Sequence, residues 1–243
     1  MIKRLFTLTI MMCILLVSST LSFASSHHYY TSQKFSNGKT AKYVLLNLNA
    51  TDISPAMGLA NNKILAADSL QNIVNTRAIE GKKAFAAVNG TYFSAYNGVP
   101  VPYGTIIDKG KLLHIGNYGA VLGITKDKKL VIDNLKIEIT GSIDGVENQY
   151  YTWGINHPRT EPDAIMIFTP DFASSTQMPD AQNVIVRNGK VAQKNSGNTA
   201  IPSDGFVISF NPSMHYLMER FNIGSTVDYT PEFRSTRENA TEA

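Results

Sequence analysis

Polar and aromatic residues follow directly on a short apolar run at residues 84–88, which has the length of a buried strand. The run ends in an Asn-Gly pair, residues 89–90, which tolerates positive φ and lets the chain turn sharply. Tyr92 and Phe93 come next, and a loop rich in glycine and proline leads on to Gly104. Turns at the mouth of a buried strand are places where side chains and backbone N–H groups meet a ligand. The alternative is a strand, a turn and an aromatic plug that closes the core.

A second polar segment carries Asn156, His157 and Arg159, just before the apolar run at residues 164–168. The planar guanidinium of Arg159 matches two oxygens of a phosphate, so a phosphate clamp is one interpretation. The other is that Arg159 braces the loop by donating hydrogen bonds to backbone carbonyl groups. His157 precedes a proline and is interpreted as a turn residue rather than as an acid or a base.

Together the two segments resemble the phosphodiester glycosidase family. The family pattern combines an apolar strand, N-G-x-[FY]-F, a loop that ends in glycine, and a hairpin. An N-x-x-R element ahead of a strand ending in F-T-P also matches, at Asn156, Arg159 and residues 168–170. The likeness extends more loosely from about Tyr43 to Tyr229. The first segment and its hairpin match the pattern at Asn89, Gly90, Tyr92, Phe93, Gly104, Gly110 and Gly123.

The resemblance implies hydrolysis of sugar-1-phosphodiesters, such as N-acetylglucosamine-1-phosphate diesters of a cell-wall or extracellular polysaccharide. The partner is then a carbohydrate phosphate, small or polymeric, and no cofactor or metal is expected. Such a reaction needs cationic or N–H donors for the phosphate and a carboxylate for the developing oxocarbenium ion. The resemblance implies catalytic roles for Asn89 and Arg159. It implies substrate-binding roles for Gly90, Thr91, Tyr92, Phe93, Gly104 and Asn156.

The carboxylate is the weak point of this prediction, because Asp163, Asp171 and Asp204 are scattered and equally suited to turns. Family members also continue beyond the point of Arg234 with glycine-rich strands that this sequence lacks. We therefore expect this chain to be the N-terminal half of an incomplete domain. We expect it to be active only if the other half is supplied, either encoded downstream or in a partner chain. The alternative, from a different class, is a non-catalytic carbohydrate-binding protein or a degenerate fragment of such an enzyme.

The N-terminus predicts a signal peptide, because Lys3 and Arg4 precede the apolar run 5–17 and Ala24 ends a small-residue cleavage site. That run is shorter than the roughly 20 residues that span a bilayer, so no stable membrane anchor is expected. We expect cleavage after Ala24 and a secreted or extracytoplasmic protein. The single cysteine, Cys13, leaves with this segment, which excludes thiol catalysis. The formal charge of +3 gives no reason to expect nucleic acid as a partner.

The remaining chain is predicted to form a flexible lead-in (25–39), one domain (40–233) and a disordered tail (234–243). The apolar spacing predicts a helix over residues 69–80 that leads into the 84–88 strand. A second helix is predicted to open at Asn211-Pro212, and the other apolar runs alternate with turns. These patterns predict an α+β fold, a mostly antiparallel β-meander or mixed sheets with two packed helices.

Overall fold

The computed structural model describes residues 28–76, 83–94, 98–116, 120–158 and 161–235. The chain divides into two compact units, residues 1–55 and 56–243. In the first unit, β1 (His28–Lys34) and β2 (Thr40–Leu46) form an antiparallel hairpin. Residues 28–34 are therefore a strand and not the flexible lead-in predicted for 25–39, since tyrosine and threonine in this polar stretch favour strand pairing.

Twelve strands, one α-helix and two 3₁₀ segments make up the described part of the second unit. The helix α1 spans Leu70–Thr76, and the 3₁₀ segments span Ala60–Asn62 and Pro212–Arg220. The strands are β3 (Ile106–Asp108), β4 (Lys111–His114), β5 (Val121–Ile124), β6 (Leu130–Asp133), β7 (Leu135–Ile143), β8 (Val146–Thr152), β9 (Gly154–Ile155), β10 (Ile165–Phe168), β11 (Gln182–Arg187), β12 (Lys190–Ser196), β13 (Gly205–Phe210) and β14 (Val227–Ser235).

A five-stranded sheet with the order β12-β11-β13-β10-β9 forms the centre of this unit. All its pairs are antiparallel except β9 with β10. Successive residues of a strand point to opposite faces, and β10 is apolar throughout because both of its faces are covered. Ile167 and Ile208 belong to one core cluster, whereas Met166, Phe168 and Val207 belong to a second.

A three-stranded sheet, β14-β7-β8, and two short hairpins, β3-β4 and β5-β6, complete the unit. In the three-stranded sheet the ring of Tyr150 covers Gly141, where a Cβ atom would lie only 2.0 Å from the ring. The Tyr150 hydroxyl donates a 2.8 Å hydrogen bond to the carbonyl oxygen of Asp228. On β5-β6 one face is left open, with Leu122, Leu130 and Ile132 each more than half exposed.

These sheets, together with α1 and the 3₁₀ segment Pro212–Arg220, confirm the predicted α+β fold class. Ser69 caps the start of α1, since its hydroxyl accepts the N–H of Asn72 at 3.2 Å. Residues 77–80 of the predicted first helix lie outside the described residues. The predicted second helix is the 3₁₀ segment Pro212–Arg220. Its methionine and leucine side chains pack against the core cluster that includes the buried Phe221.

Two sequence predictions need correction. The apolar run 84–88 forms no strand, and its residues are exposed, Val88 by 85%. An apolar run becomes a buried strand only where other elements cover it, and the described chain does not cover this one. The tail predicted to begin at 234 starts later, because Arg234 and Ser235 still pair with β7 as part of β14. Residues 236–243 lie outside the described residues.

The stability of the fold should decrease at alkaline pH because Tyr229 is largely buried. Burial, and then the charges of Asp171 and Asp228, raise the pKa of Tyr229 to about 12. The neutral hydroxyl is thus favoured in the fold, so its stabilising contribution is complete below the unfolded pKa near 10 and is lost as the pH rises towards 12. We expect the urea midpoint to fall between pH 10 and 12 and Tyr229→Phe to reduce this fall. The matched control, Tyr216→Phe at a 65% exposed ring, should leave the profile unchanged.

Candidate functional site

The ring of His114 joins the two segments that the sequence singles out. His114 is the last residue of β4 and is fully buried. Its Nδ1 lies 2.8 Å from the carbonyl oxygen of Asn156, and its Nε2 lies 2.9 Å from the carbonyl oxygen of Pro102. One side chain therefore holds the loop before β3 and the turn after β9 at a fixed separation.

The segment from Thr91 to Phe93 is held against the loop that contacts His114. The N–H of Gly104 donates to the Thr91 hydroxyl at 2.8 Å, and the N–H of Tyr103 donates to the carbonyl of Tyr92 at 2.9 Å. Phe93 forms an isolated antiparallel bridge with Pro102. These bonds carry the predicted substrate-binding residues Thr91, Tyr92, Phe93 and Gly104 into one connected loop pair.

Gly116 allows the same loop to lie directly against the residues that follow β4. A Cβ atom at this position would lie 1.8 Å from the carbonyl oxygen of Tyr103 and 2.5 Å from the carbonyl carbon of Gly104. Neither distance is possible without moving backbone. The absence of a side chain at Gly116 is thus a condition for the contact between Pro102 and His114.

Asn156 occupies a tight turn with φ of 53°, a left-handed conformation that asparagine tolerates better than most residues. Its side chain is fully buried and completely bonded. The amide group donates to the carbonyl of Leu113 at 2.7 Å and to the Thr169 hydroxyl at 2.8 Å, and its oxygen accepts the Thr169 N–H at 2.8 Å. Asn156 therefore locks the end of β4 to the end of β10.

A charged pair continues this network on the other side of Thr169. The Thr169 hydroxyl donates to the Asp171 carboxylate at 3.1 Å, and the ammonium of Lys111 lies 2.6 Å from the same carboxylate. Lys63 donates a short hydrogen bond to the neighbouring carbonyl of Pro170. Lys111 is 60% exposed, so this pair contributes little to stability and chiefly orients Asp171 and Thr169.

His157 places a second imidazole beside the first. Its Nδ1 lies 3.5 Å from Nε2 of His114, and the ring centroids are 5.1 Å apart at an angle of 33°. Unlike His114, the His157 ring is half-buried. The sequence prediction of a turn residue therefore missed an imidazole pair next to Asn156.

Exposed aromatic rings lie on the loop pair that His114 supports. Tyr92 is 85% exposed and Phe93 is 46% exposed, and Tyr103 is 46% exposed. The aromatic plug that was the alternative interpretation is therefore wrong. Exposed aromatic faces are suited to the apolar face of a sugar ring.

The structure does not bring every predicted residue into the site. Asn89 and Gly90 lie in exposed coil with no positive φ, so the expected sharp turn is absent there. Arg159, the predicted phosphate clamp, lies outside the described residues. Asp204 is paired with Arg187 at 2.9 Å near the β11-β12 hairpin, in keeping with a turn role. Among the described residues, no group of three or more His, Cys, Asp or Glu side chains could hold a metal ion.

His114 and Asp171 belong to the network, although the sequence does not assign them to the site. A histidine inside the apolar strand sequence Leu-Leu-His-Ile is the signal that could have identified His114, because a buried polar group must find partners. Asp171 follows the F-T-P element by one residue and gave no signal beyond that of a turn.

Comparisons with known proteins identify the fold and no more. No family model and no curated protein matches the chain. A hypothetical protein from Synechocystis has a similar structure, with a TM-score of 0.66 and 19% identity over 86% of this chain and 39% of that one. A "Putative exported protein" from Burkholderia pseudomallei K96243 has a TM-score of 0.50 and 15% identity over 61% of this chain and 37% of that one. The chain thus spans about two fifths of each of these two structures.

None of the described helices combines the length and the apolar character that crossing a membrane requires.

Proposed function

We propose that the chain is an exported hydrolase-type protein that acts on sugar-1-phosphodiesters, as its resemblance to phosphodiester glycosidases implies. The observation that carries this proposal is the double contact of His114 with Pro102 and Asn156. The resemblance rests on two segments far apart in sequence, and this contact makes them neighbours. A shared site is what the resemblance requires of them.

Two kinds of group would bind the substrate: aromatic rings for the sugar, and hydrogen-bond donors for the phosphate. Exposed faces of Tyr92 and Phe93 would hold the sugar ring. The phosphate would take hydrogen bonds from the imidazole beside Asn156 and from Arg159, which follows His157 by two residues. Water would attack the anomeric carbon while the bond from that carbon to the phosphate oxygen breaks. The leaving phosphate monoester is stable, so binding its charge matters more than strong acid catalysis.

The carboxylate that the oxocarbenium ion needs has no assigned residue here. Asp171 is bonded to Lys111 and Thr169, and we assign it to orienting Thr169. We propose that the carboxylate comes from the predicted partner half. Exposed apolar side chains such as Val88 and Leu122 support this, because they offer surface on which further strands could pack.

The activity test is release of N-acetylglucosamine from UDP-N-acetylglucosamine, by the chain alone and together with the polypeptide encoded directly downstream. Arg159→Ala should lower kcat/KM by about 10- to 100-fold, the effect of losing a charge-assisted hydrogen bond to phosphate. Asn89→Ala should also lower it. The matched controls Arg220→Ala and Asn222→Ala remove exposed side chains elsewhere and should have no effect. Equal rates in all five proteins would remove both residues from the site.

A second candidate, a non-catalytic carbohydrate-binding protein, is favoured by one observation. The aromatic rings that would hold a sugar are exposed, and Asn89 lies in exposed coil. This candidate predicts calorimetric binding of N-acetylglucosamine-1-phosphate that Tyr92→Ala weakens, with no sugar released under any of the conditions above.

Export is supported by the N-terminal signal sequence and by the name of the Burkholderia protein. Secretion of the full chain from a bacterial host should yield a mature N-terminus at Ser25. An intact Met1 on the secreted or cell-associated protein would contradict cleavage after Ala24.

A further inference from the structure

The loop pair that carries Tyr92 and Tyr103 forms a short antiparallel ribbon. Phe93 and Pro102 oppose each other in it as an isolated bridge. On one side of the bridge the N–H of Tyr103 donates to the carbonyl of Tyr92 at 2.9 Å, and a second backbone bond of 2.9 Å closes the other side. The two residues of such a bridge do not bond to each other, so the missing N–H of Pro102 costs nothing there. These contacts fix the register of the ribbon.

The register determines which aromatic rings share a face. Successive residues of an extended chain point to opposite faces, and residues directly opposite each other point to the same face. Phe93 and Pro102 therefore face one way, and Tyr92 and Tyr103 face the other. The ring beside Tyr92 is thus that of Tyr103, while Phe93 is available to a different part of a substrate. Opposed side chains begin roughly 5 Å apart, so the two exposed tyrosine rings offer one continuous surface.

The backbone beneath both rings is held in place before any ligand arrives. The Thr91 hydroxyl donates to the carbonyl of Tyr92 at 3.1 Å and accepts the N–H of Gly104 at 2.8 Å. A Cβ atom on Gly104 would lie 2.7 Å from the Thr91 hydroxyl oxygen, so this bond depends on glycine. A surface that is already ordered binds its ligand at a smaller cost in conformational entropy.

We propose that Tyr92 and Tyr103 form a two-ring platform that binds one pyranose ring of the substrate, which makes Tyr103 a further sugar-binding residue. This inference rests on the proposed function, which supplies the class of ligand. The apolar C–H face of a sugar packs against aromatic rings. The two tyrosine hydroxyl groups can each donate a hydrogen bond to a sugar hydroxyl or accept one from it. The pair therefore matches both the apolar and the polar surface of a pyranose.

The test is calorimetric binding of N-acetylglucosamine-1-phosphate to the chain, with inorganic phosphate as the ligand that lacks the sugar. Tyr103→Ala should weaken binding of the sugar phosphate about 3- to 10-fold, the usual effect of one aromatic ring contact, and should leave phosphate binding unchanged. Tyr103→Phe keeps the ring and should keep most of the affinity. The matched control Tyr216→Ala removes a ring that is 65% exposed elsewhere and should have no effect.

A second variant separates loss of the ring from loosening of the loop. Tyr103→Leu fills much of the same space without a flat ring, so it should lose affinity as Tyr103→Ala does and keep the wild-type melting temperature. Affinity within about twofold of wild type in both variants, with Tyr92→Ala weakened, would overturn this inference alone. Binding of UMP that Tyr103→Ala weakens, with binding of the sugar phosphate unchanged, would also overturn it, because the rings would then stack on a nucleobase. No binding of the sugar phosphate by the wild-type chain would contradict the proposed function as well.

Discussion

Replacing Asn156 with alanine should lower the free energy of unfolding by about 3–5 kcal/mol, the largest loss of stability expected from a single truncation in the site. The change removes three hydrogen bonds and leaves the N–H of Thr169 and the carbonyl of Leu113 buried without their partner. Each such group costs about 1–3 kcal/mol. Alanine is also strained at the φ of 53° by roughly 1 kcal/mol.

The measurement is urea unfolding followed by the fluorescence of Trp153, the single tryptophan of the chain, three residues before Asn156. Asn148→Ala is the matched control, because Asn148 is exposed and has nearly the same backbone angle, with φ of 58°. The free energy of unfolding of the Asn148→Ala variant should fall by about 1 kcal/mol, which measures the backbone strain alone. Equal losses in the two variants would show that the buried bonds of Asn156 contribute nothing.

Replacing Gly116 with alanine should separate the two halves of the candidate site. The new methyl group would overlap the carbonyl of Tyr103, so the 102–104 loop must move away from β4. That movement breaks the contact of Pro102 with His114 and the bond between Gly104 and Thr91. We expect a loss of about 1–3 kcal/mol in stability from overpacking. Hydrolysis of UDP-N-acetylglucosamine should fall about 10²-fold, since displacement of a site by about 1 Å has effects of that size.

Gly90→Ala is the matched control for this variant. Gly90 lies in the same loop pair, has no positive φ, and has open space where a Cβ atom would be built. Its unfolding free energy should change by less than about 0.5 kcal/mol, as for most exposed substitutions. A Gly116→Ala protein as stable as the Gly90→Ala protein would show that the loop does not need its close approach to β4.

Local turn chemistry explains which strands could be predicted from the sequence. Lys109-Gly110 and Asn188-Gly189 both adopt the positive φ values that a tight hairpin needs, and both pairs lie between apolar runs, as the predicted alternation of apolar runs and turns requires. The same signal exists at Asp144-Gly145, where β7 turns into β8, but the polar sequence of β8 concealed it. Such strands are held by their turn and by cross-strand pairing more than by an apolar pattern.

The site could be predicted only in part, because its bonds join residues far apart in sequence. The residue types at Thr91, Gly104 and Asn156 were singled out, yet nothing local indicates that a histidine between them contacts both segments. The strand predicted at residues 84–88 is absent for the same reason, namely that it depends on residues far away in the sequence. Apolar composition indicates that a segment favours burial, whereas its burial requires other elements of the chain to cover it.

The exposed pair Asn89-Gly90 has a chemical consequence over time. With no side chain on the following residue, the backbone nitrogen of Gly90 can attack the Asn89 amide, release ammonia and form a succinimide that opens to aspartate or isoaspartate. The coil around this pair gives no protection, since both residues are exposed and no Cβ contact would lie within 4 Å of Gly90. Stored protein should therefore acquire a negative charge at this loop, and peptide mass spectrometry of aged samples should find it there. The new negative charge would repel an anionic substrate at this loop. Aged preparations should therefore bind sugar phosphates more weakly than fresh ones.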